Sequence, residues 1–206
     1  MNIAVIGTGN VGGALAQGFI KAGHTVWVGA NFPLSEKSIN LATKIGEDRF
    51  TTVSSAVAQC NVVVLAIPAM KAIEVTHELG DTSGKVIIDA MNTVRGMGPA
   101  GFSHTTEAIL ANTATNDVVK CFNTTGFENL LDPIYKGEGI DMFVAGTSVK
   151  AKAIATQLAK EIGFGECYDL GGNDKFGLLE QLALNWITLA IFQGYGRGIA
   201  FKVVKR

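Results

Sequence analysis

A glycine-rich turn follows the first apolar run of the chain, residues 2–6, and opens a segment with helical periodicity. In this spacing the first glycine permits a tight turn, the second lets a phosphate approach the backbone, and the third allows the helix to pack closely on the strand. Free N–H groups at the start of the helix would hold the anion. A turn without a ligand is the alternative, but the position directly after the first strand favours the pyrophosphate of a dinucleotide. The motif consists of Gly7, Thr8, Gly9, Asn10, Val11 and Gly12.

The end of the second predicted strand indicates which dinucleotide to expect. An acidic residue there would bind a free ribose 2′-hydroxyl and repel a 2′-phosphate. The sequence Gly-Ala-Asn at 29–31 has no acid, while Asn31 and Ser35 can donate hydrogen bonds and Lys37 can supply positive charge. These residues favour NADP, with NAD as a possible cofactor. The alternative is that Asn31 is only a turn residue and Lys37 only a solvated helix charge.

Polar or proline-terminated loops follow three later strands. Ligands of open α/β sheets bind at the carboxyl ends of the strands, so Ile67, Pro68, Asn92 and Asn123 are predicted to lie near the nicotinamide. Taken locally, Pro68 could equally be the first residue of a helix, and each asparagine a turn residue.

The elements that position these residues alternate short β-branched runs with helical segments, which is typical of a parallel sheet covered by helices. We therefore predict an α/β, Rossmann-type, doubly wound and mainly parallel sheet in a domain of residues 1–170. The predicted strands are 2–6, 25–28, 50–52, 62–66, 86–89, 118–121, 142–145 and 166–169, and the predicted helices are 11–22, 36–45, 70–78, 105–111 and 150–162.

The strand pattern stops after residue 170, and residues 171–206 are predicted to be a helical extension with one long helix over 173–200. We expect this extension to pack on the same core or on a dimer partner. Its broad apolar face favours burial against a second subunit, and hence a homodimer. The face consists of Leu178, Leu182, Trp186, Leu189 and Phe192, broadened by Leu179, Ile187 and Ile191.

Composition and charge argue against several other functional classes of protein. The net charge of −1, without a basic block, argues against a nucleic-acid partner, and no apolar run reaches the roughly 18 residues of a membrane span. Without a signal-like segment, the protein is expected to be cytoplasmic. The three cysteines and three histidines are isolated, so we assign neither a metal site nor a catalytic side chain.

The chain resembles the family of NADPH-dependent reductases of the deazaflavin coenzyme F-420, which also includes the cytosolic oxidoreductase domain of the STEAP metalloreductases. The resemblance spans nearly the whole chain, with one departure. Family members commonly have Gly-Ser-Arg after the second strand, where the serine and arginine grip the 2′-phosphate, whereas this chain has Gly-Ala-Asn at 29–31. The segments that carry the resemblance are 3–12, 63–68, 86–92, 119–124, 142–146, 179–183 and 196–202.

This resemblance implies direct hydride transfer between NADP(H) and a deazaflavin or flavin acceptor, a reaction that needs no charged catalytic side chain. The acceptor would lie against the loop after Asn123 and the last helix, where Trp186 could stack on it, although core packing is favoured for that ring. One alternative is a reductase of another substrate, such as a ferric chelate or an imine. Another is a sensor that binds NADP without turning it over. The loop from Arg95 to Ser103 is interpreted as an irregular connection, with a lid as the alternative.

Overall fold

The computed structural model describes residues 1–31, 33–94 and 96–206. Its strands are β1 Asn2–Ile6, β2 Thr25–Gly29, β3 Phe50–Thr51, β4 Val62–Leu65, β5 Val86–Asp89, β6 Val118–Cys121, β7 Ile134–Tyr135, β8 Glu138–Gly139, β9 Met142–Ala145 and β10 Cys167–Asp169. Its α-helices are α1 Asn10–Lys21, α2 Glu36–Ile45, α3 Val53–Ala58, α4 Ala72–Glu78, α5 Thr105–Asn112, α6 Phe127–Leu131, α7 Val149–Glu161 and α8 Phe176–Ile187.

Eight of these strands form one sheet in the order β10-β9-β6-β5-β4-β1-β2-β3. All neighbours are parallel except β6 and β9, which are antiparallel. The central strands are apolar on both sides because helices cover both faces of the sheet, and residues 3–6 of β1 are at most 1% exposed. The strand order reverses at β1, whose neighbours β2 and β4 lead to opposite edges. The predicted doubly wound α/β fold is confirmed.

Two short α-helices and one β-hairpin were not predicted from the sequence. Helix α3 has only six residues, and its N-cap is Thr52, whose side chain accepts a hydrogen bond from the backbone N–H of Ser55. Helix α6 has five residues, and the hairpin of β7 and β8 has two residues in each strand. Elements of this length contain too few residues to show a period.

The predicted C-terminal helix is present but shorter than expected. A 3-10 turn, Asn173–Lys175, leads into α8, which continues as a π-helical turn over Thr188–Phe192. The prediction that it reaches residue 200 is wrong, because Gly194 and Gly196 have φ angles of 75° and 80°, which a right-handed helix does not contain. The described part of the chain contains no helix with the length and hydropathy needed to cross a bilayer.

The buried face of this helix differs from the predicted apolar stripe. Trp186 and Leu179 are buried as expected, but Leu178, Leu189 and Phe192 are 53%, 38% and 54% exposed. Phe176 and Leu179 pack against Phe143 and Ala145 of β9, which attaches α8 to the sheet. The homodimer stays a prediction. Arg95, the first residue of the predicted loop, lies outside the described residues.

A buried ionic cluster joins α8 to the carboxyl ends of β5 and β6. The Lys120 ammonium lies 3.0 Å from Asp89 Oδ2 and 2.8 Å from Glu180 Oε1, and it also donates to the carbonyl of Met91. Burial lowers the pKa of Lys120, but the Asp89 and Glu180 carboxylates raise it by more, so the ammonium stays charged. The second oxygen of Glu180 accepts the N–H of Thr93 at 2.9 Å. The cluster therefore fixes the loop that follows β5.

Replacing Lys120 tests whether this cluster stabilises the fold. Lys120→Met leaves two buried carboxylates without a cation, and we expect the free energy of unfolding to fall by about 3 to 5 kcal/mol. Lys150→Met removes an ion pair with Asp117 in which the lysine side chain is 53% exposed, and it should cost no more than about 1 kcal/mol. Urea denaturation of both variants measures the difference. Equal, small losses would contradict a stabilising role for the cluster.

Candidate functional site

The turn between β1 and α1 is packed so closely that two of its glycines cannot be replaced. Gly7 has a φ of 117°, and a Cβ there would lie 2.4 Å from the carbonyl oxygen of Ala66. A Cβ on Gly12 would lie 2.1 Å from the carbonyl oxygen of Gly7. At Gly9, by contrast, no heavy atom of the described residues other than its two chain neighbours lies within 4 Å of an added Cβ. Packing does not require glycine at this position, which instead leaves the backbone open to a ligand.

The first turn of α1 has the electrostatics of an anion site. Its N-cap, Gly9, provides no side-chain cap, and the first turn contains no acidic residue. The first N–H groups of a helix have no partner within it, and the helix dipole places partial positive charge at this end. Asn10 and Val11 therefore present backbone donors to an anion.

A chain of hydroxyl groups ends at this turn. Ser38 donates its hydroxyl proton to Thr8 Oγ1 at 2.9 Å, and the oxygens of Ser35 and Ser38 are also 2.9 Å apart. Because a hydroxyl has one proton, Ser35 must be the donor in the second bond. Ser35 also accepts the N–H of Ser38 as the N-cap of α2. The hydroxyl proton of Thr8 is therefore directed away from α2. The hydroxyl proton of Ser35 is used in its hydrogen bond to Ser38.

A cavity of about 510 Å³ extends from the turn along the ends of β2 and β4. Both Asn31 and Ser35 line it, as do Ile67 and Pro68, which were predicted at the nicotinamide end. Lys37 does not line this cavity but a separate groove of about 230 Å³ beside Gln17 and Lys44. The amide nitrogen of Asn31 donates to Glu78 Oε2 at 2.8 Å.

The two asparagines predicted near the nicotinamide bind each other. Asn123 Nδ2 donates to Asn92 Oδ1 at 2.8 Å, and Asn92 Nδ2 donates to the carbonyl of Asn123 at 2.7 Å. Asn123 is 3% exposed, yet among the described residues its Oδ1 atom has no hydrogen-bond partner. A buried acceptor without a donor costs free energy unless a ligand supplies one. The pair is thus a candidate site for an amide donor.

A second cavity of about 510 Å³ lies on the other side of the turn, between the asparagine pair and α8. Asn10, Val11, Phe127 and Trp186 contribute to its walls. Trp186 is 3% exposed and donates its Nε1–H to the carbonyl of Ile199, so its ring is mainly a packed wall. Among the described lining residues Arg197 alone is ionisable, and it lies over the Trp186 ring and forms an ion pair with Glu128.

The sequence did not indicate four charged residues at this edge of the sheet: Glu78, Lys120, Glu180 and Arg197. Each depends on a contact between segments far apart in sequence, such as the 47 residues that separate Asn31 from Glu78. A lysine within the apolar run of β6 was the one local signal. Among the described residues, no group of three His, Cys, Asp or Glu side chains could hold a metal ion.

Replacing Gly9 tests the open backbone. We expect Gly9→Ala to unfold at the same temperature as wild type but to bind nicotinamide dinucleotides at least about tenfold more weakly, because the methyl group occupies the space of the phosphate. Gly13→Ala is the control: its Cβ would lie 3.4 Å from Leu41, an ordinary contact on the α2 side of the helix. Calorimetric titration and thermal melting measure both properties. Unchanged binding by Gly9→Ala would contradict this assignment.

Comparison with known proteins gives a family match to residues 2–93 and a fold for the whole chain. Residues 2–93 match the family described as NADP oxidoreductase, coenzyme F420-dependent. A structure from Arthrobacter sp. FB24, provisionally named as an F420-dependent NADP reductase, is 26% identical with a TM-score of 0.85, and all of both chains is covered. A hypothetical protein of Sinorhizobium meliloti is 24% identical with a TM-score of 0.73, and 100% of this chain and 96% of that one are covered. No curated protein matches the sequence.

More distant structures share the fold alone. A reductive aminase from Aspergillus terreus, solved with NADPH4, cyclohexanone and allyl amine, is 18% identical with a TM-score of 0.64. The match covers 94% of this chain and 62% of the aminase. The predicted resemblance to the coenzyme F420-dependent NADP oxidoreductases is confirmed over residues 2–93, whereas the link to the STEAP oxidoreductase domain stays a prediction. The chain is an NAD(P)-dependent oxidoreductase.

Proposed function

We propose that this protein transfers a hydride between NADP(H), with NAD(H) as a second possible cofactor, and a small-molecule acceptor that is a deazaflavin such as F-420 or a flavin. The observation that carries the proposal is the buried Oδ1 of Asn123, which has no hydrogen-bond partner among the described residues, in a residue that lines the same cavity as Asn10 and Val11. A phosphate site and an amide site at one edge of the sheet match the two ends of a nicotinamide mononucleotide unit.

The residues present fit such a cofactor. Thr8, Gly9, Asn10 and Val11 would hold the pyrophosphate, and Asn31 and Ser35 border the cavity on the adenosine side. Asn123 Oδ1 would accept a hydrogen bond from the nicotinamide carboxamide, and Asn92 keeps the Asn123 side chain in this orientation. When bound, the nicotinamide ring supplies or accepts the hydride at its C4 atom.

The second cavity supports a planar acceptor that needs no charged acid. Its walls next to Asn92 are mostly apolar, and Val11, Phe127 and Ile187 would exclude water from the ring faces. Burial raises the pKa of Glu128, but the hydrogen bond and charge of Arg197 and a backbone hydrogen bond together lower it below its usual value, so this carboxylate stays charged and pairs with Arg197. The chain would thus act by holding two rings close together in the right orientation, which can lower the activation barrier by several kcal/mol.

The exposed apolar side chains of the last helix support the expected homodimer, which we keep as a proposal. Leu178 and Leu184 on α8 and Ile191 on the π-helical turn are 53%, 42% and 51% exposed. A second copy that covers them would remove apolar surface from water.

Asn123→Ala tests the nicotinamide assignment. We expect kcat/KM for NADPH with the best acceptor to fall at least about tenfold, because the carboxamide loses its acceptor, while the affinity for ADP-ribose, which lacks nicotinamide, stays unchanged. Asn112→Ala is the control, since Asn112 pairs only with His77 and the carbonyl of Ala108 in the part of the chain that the structure describes. Equal losses for NADPH and ADP-ribose would contradict the placement of Asn123.

A panel of acceptors tests the reaction itself. F-420, FMN, a ferric chelate and a cyclic imine are each offered as the acceptor. Oxidation of NADPH is followed by the loss of absorbance of the reduced nicotinamide. We expect the ring acceptors F-420 or FMN to be reduced fastest. Faster turnover of the imine or the chelate would contradict a deazaflavin or flavin acceptor and would assign the enzyme to that other substrate class. Tight cofactor binding without oxidation by any acceptor would instead indicate a sensor.

A further inference from the structure

We infer that Glu78 is a specificity-determining residue for the cofactor, and that through Asn31 it makes the site at the end of β2 accept a ribose 2′-hydroxyl about as well as a 2′-phosphate. This inference rests on the proposed function, because it concerns the adenosine end of the same cofactor site. It changes the sequence-based interpretation of this end, which assigned Asn31, Ser35 and Lys37 to a 2′-phosphate.

Glu78 occupies the last position of α4, where that helix faces the loop after β2. Its Oε2 accepts a hydrogen bond from Asn31 Nδ2 at 2.8 Å, so the pair bridges two walls of the site. Asn31 and Val53 line the cavities on both sides of this bridge, and Glu78 lines one of them. The acid absent from the end of β2 is thus supplied by a different element of the fold.

The hydrogen-bonding groups at this end are mostly acceptors. One amide proton of Asn31 is used by Glu78, which leaves one amide proton as a donor and the amide oxygen and the carboxylate as acceptors. The proton of Ser35 is directed to Ser38 Oγ, as the hydroxyl chain to Thr8 requires. A ribose 2′-hydroxyl can donate to these acceptors, whereas a phosphate dianion only accepts hydrogen bonds.

The charges at this end disfavour a phosphate as well. The two cavities at the end of β2 are lined, among the described residues, by one cation, Lys71, and two carboxylates, Glu74 and Glu78. Lys71 Nζ lies 2.6 Å from Glu74 Oε2, so its charge is neutralised by a neighbour. Lys37 lines the groove on the other side of the turn. A 2′-phosphate with a charge of about −1.5 to −2 would therefore meet the unneutralised carboxylate of Glu78.

The experiment is calorimetric titration of wild type and Glu78→Gln with NADPH and with NADH at one low salt concentration. The glutamine keeps an acceptor oxygen for Asn31 but removes the charge. We expect wild type to bind the two cofactors within about tenfold of each other, and Glu78→Gln to shift the Kd ratio toward NADPH by about five- to tenfold. The shift should shrink at 1 M salt, where charges are screened.

The matched control is Glu166→Gln, which removes an exposed carboxylate paired with Lys160 beside β10, at the opposite edge of the sheet. This variant should leave the ratio unchanged. A wild type that binds both cofactors but shows the same ratio in Glu78→Gln would overturn the inference and leave the proposed function intact. A wild type that binds NADPH more than about a hundredfold better than NADH would overturn it too. Binding of neither cofactor by wild type would overturn the inference together with the proposed function.

Discussion

The structure depends on the close approach of α1 to the ends of β1 and β4. Gly7 and Gly12 leave no space for a side chain, since added Cβ atoms would lie 2.4 Å and 2.1 Å from backbone oxygens. This contact places the start of α1 at the point where the strand order reverses and a crevice opens between β1 and β4. Everything proposed for the site requires that the first N–H groups of α1 face this crevice.

A second constraint holds the other side of the crevice. Lys120 has no exposed surface and forms ion pairs with Asp89 and Glu180, so its charge links β6 to β5 and α8. Because Glu180 also accepts the N–H of Thr93, α8 holds the loop that carries Asn92 in place. Such a cluster contributes less net stability than its contacts imply, since desolvation of three charges opposes it. Its effect is to determine where the asparagine pair lies.

The sequence predicted the elements with enough residues to show a period. Apart from the last helix, every long strand and helix was placed to within about two residues, because apolar runs and glycine stops are local signals. The phosphate turn was predictable for the same reason. The Asn31–Glu78 bridge and the Lys120 cluster were not, since each joins segments that only the folded sheet brings together. The end of the last helix was misplaced because a π-helical turn and two left-handed glycines follow one another.

The central claim is that a nicotinamide dinucleotide lies across the carboxyl edge of the sheet, from the Asn31 side to the asparagine pair. A crystal structure of the complex with NADPH tests it most directly. The account predicts pyrophosphate oxygens within hydrogen-bond distance of the N–H groups of Asn10 and Val11, and the carboxamide on Asn123 Oδ1. A cofactor bound instead in the groove of Lys37 and Lys44, with Asn123 Oδ1 still unpartnered, would contradict it.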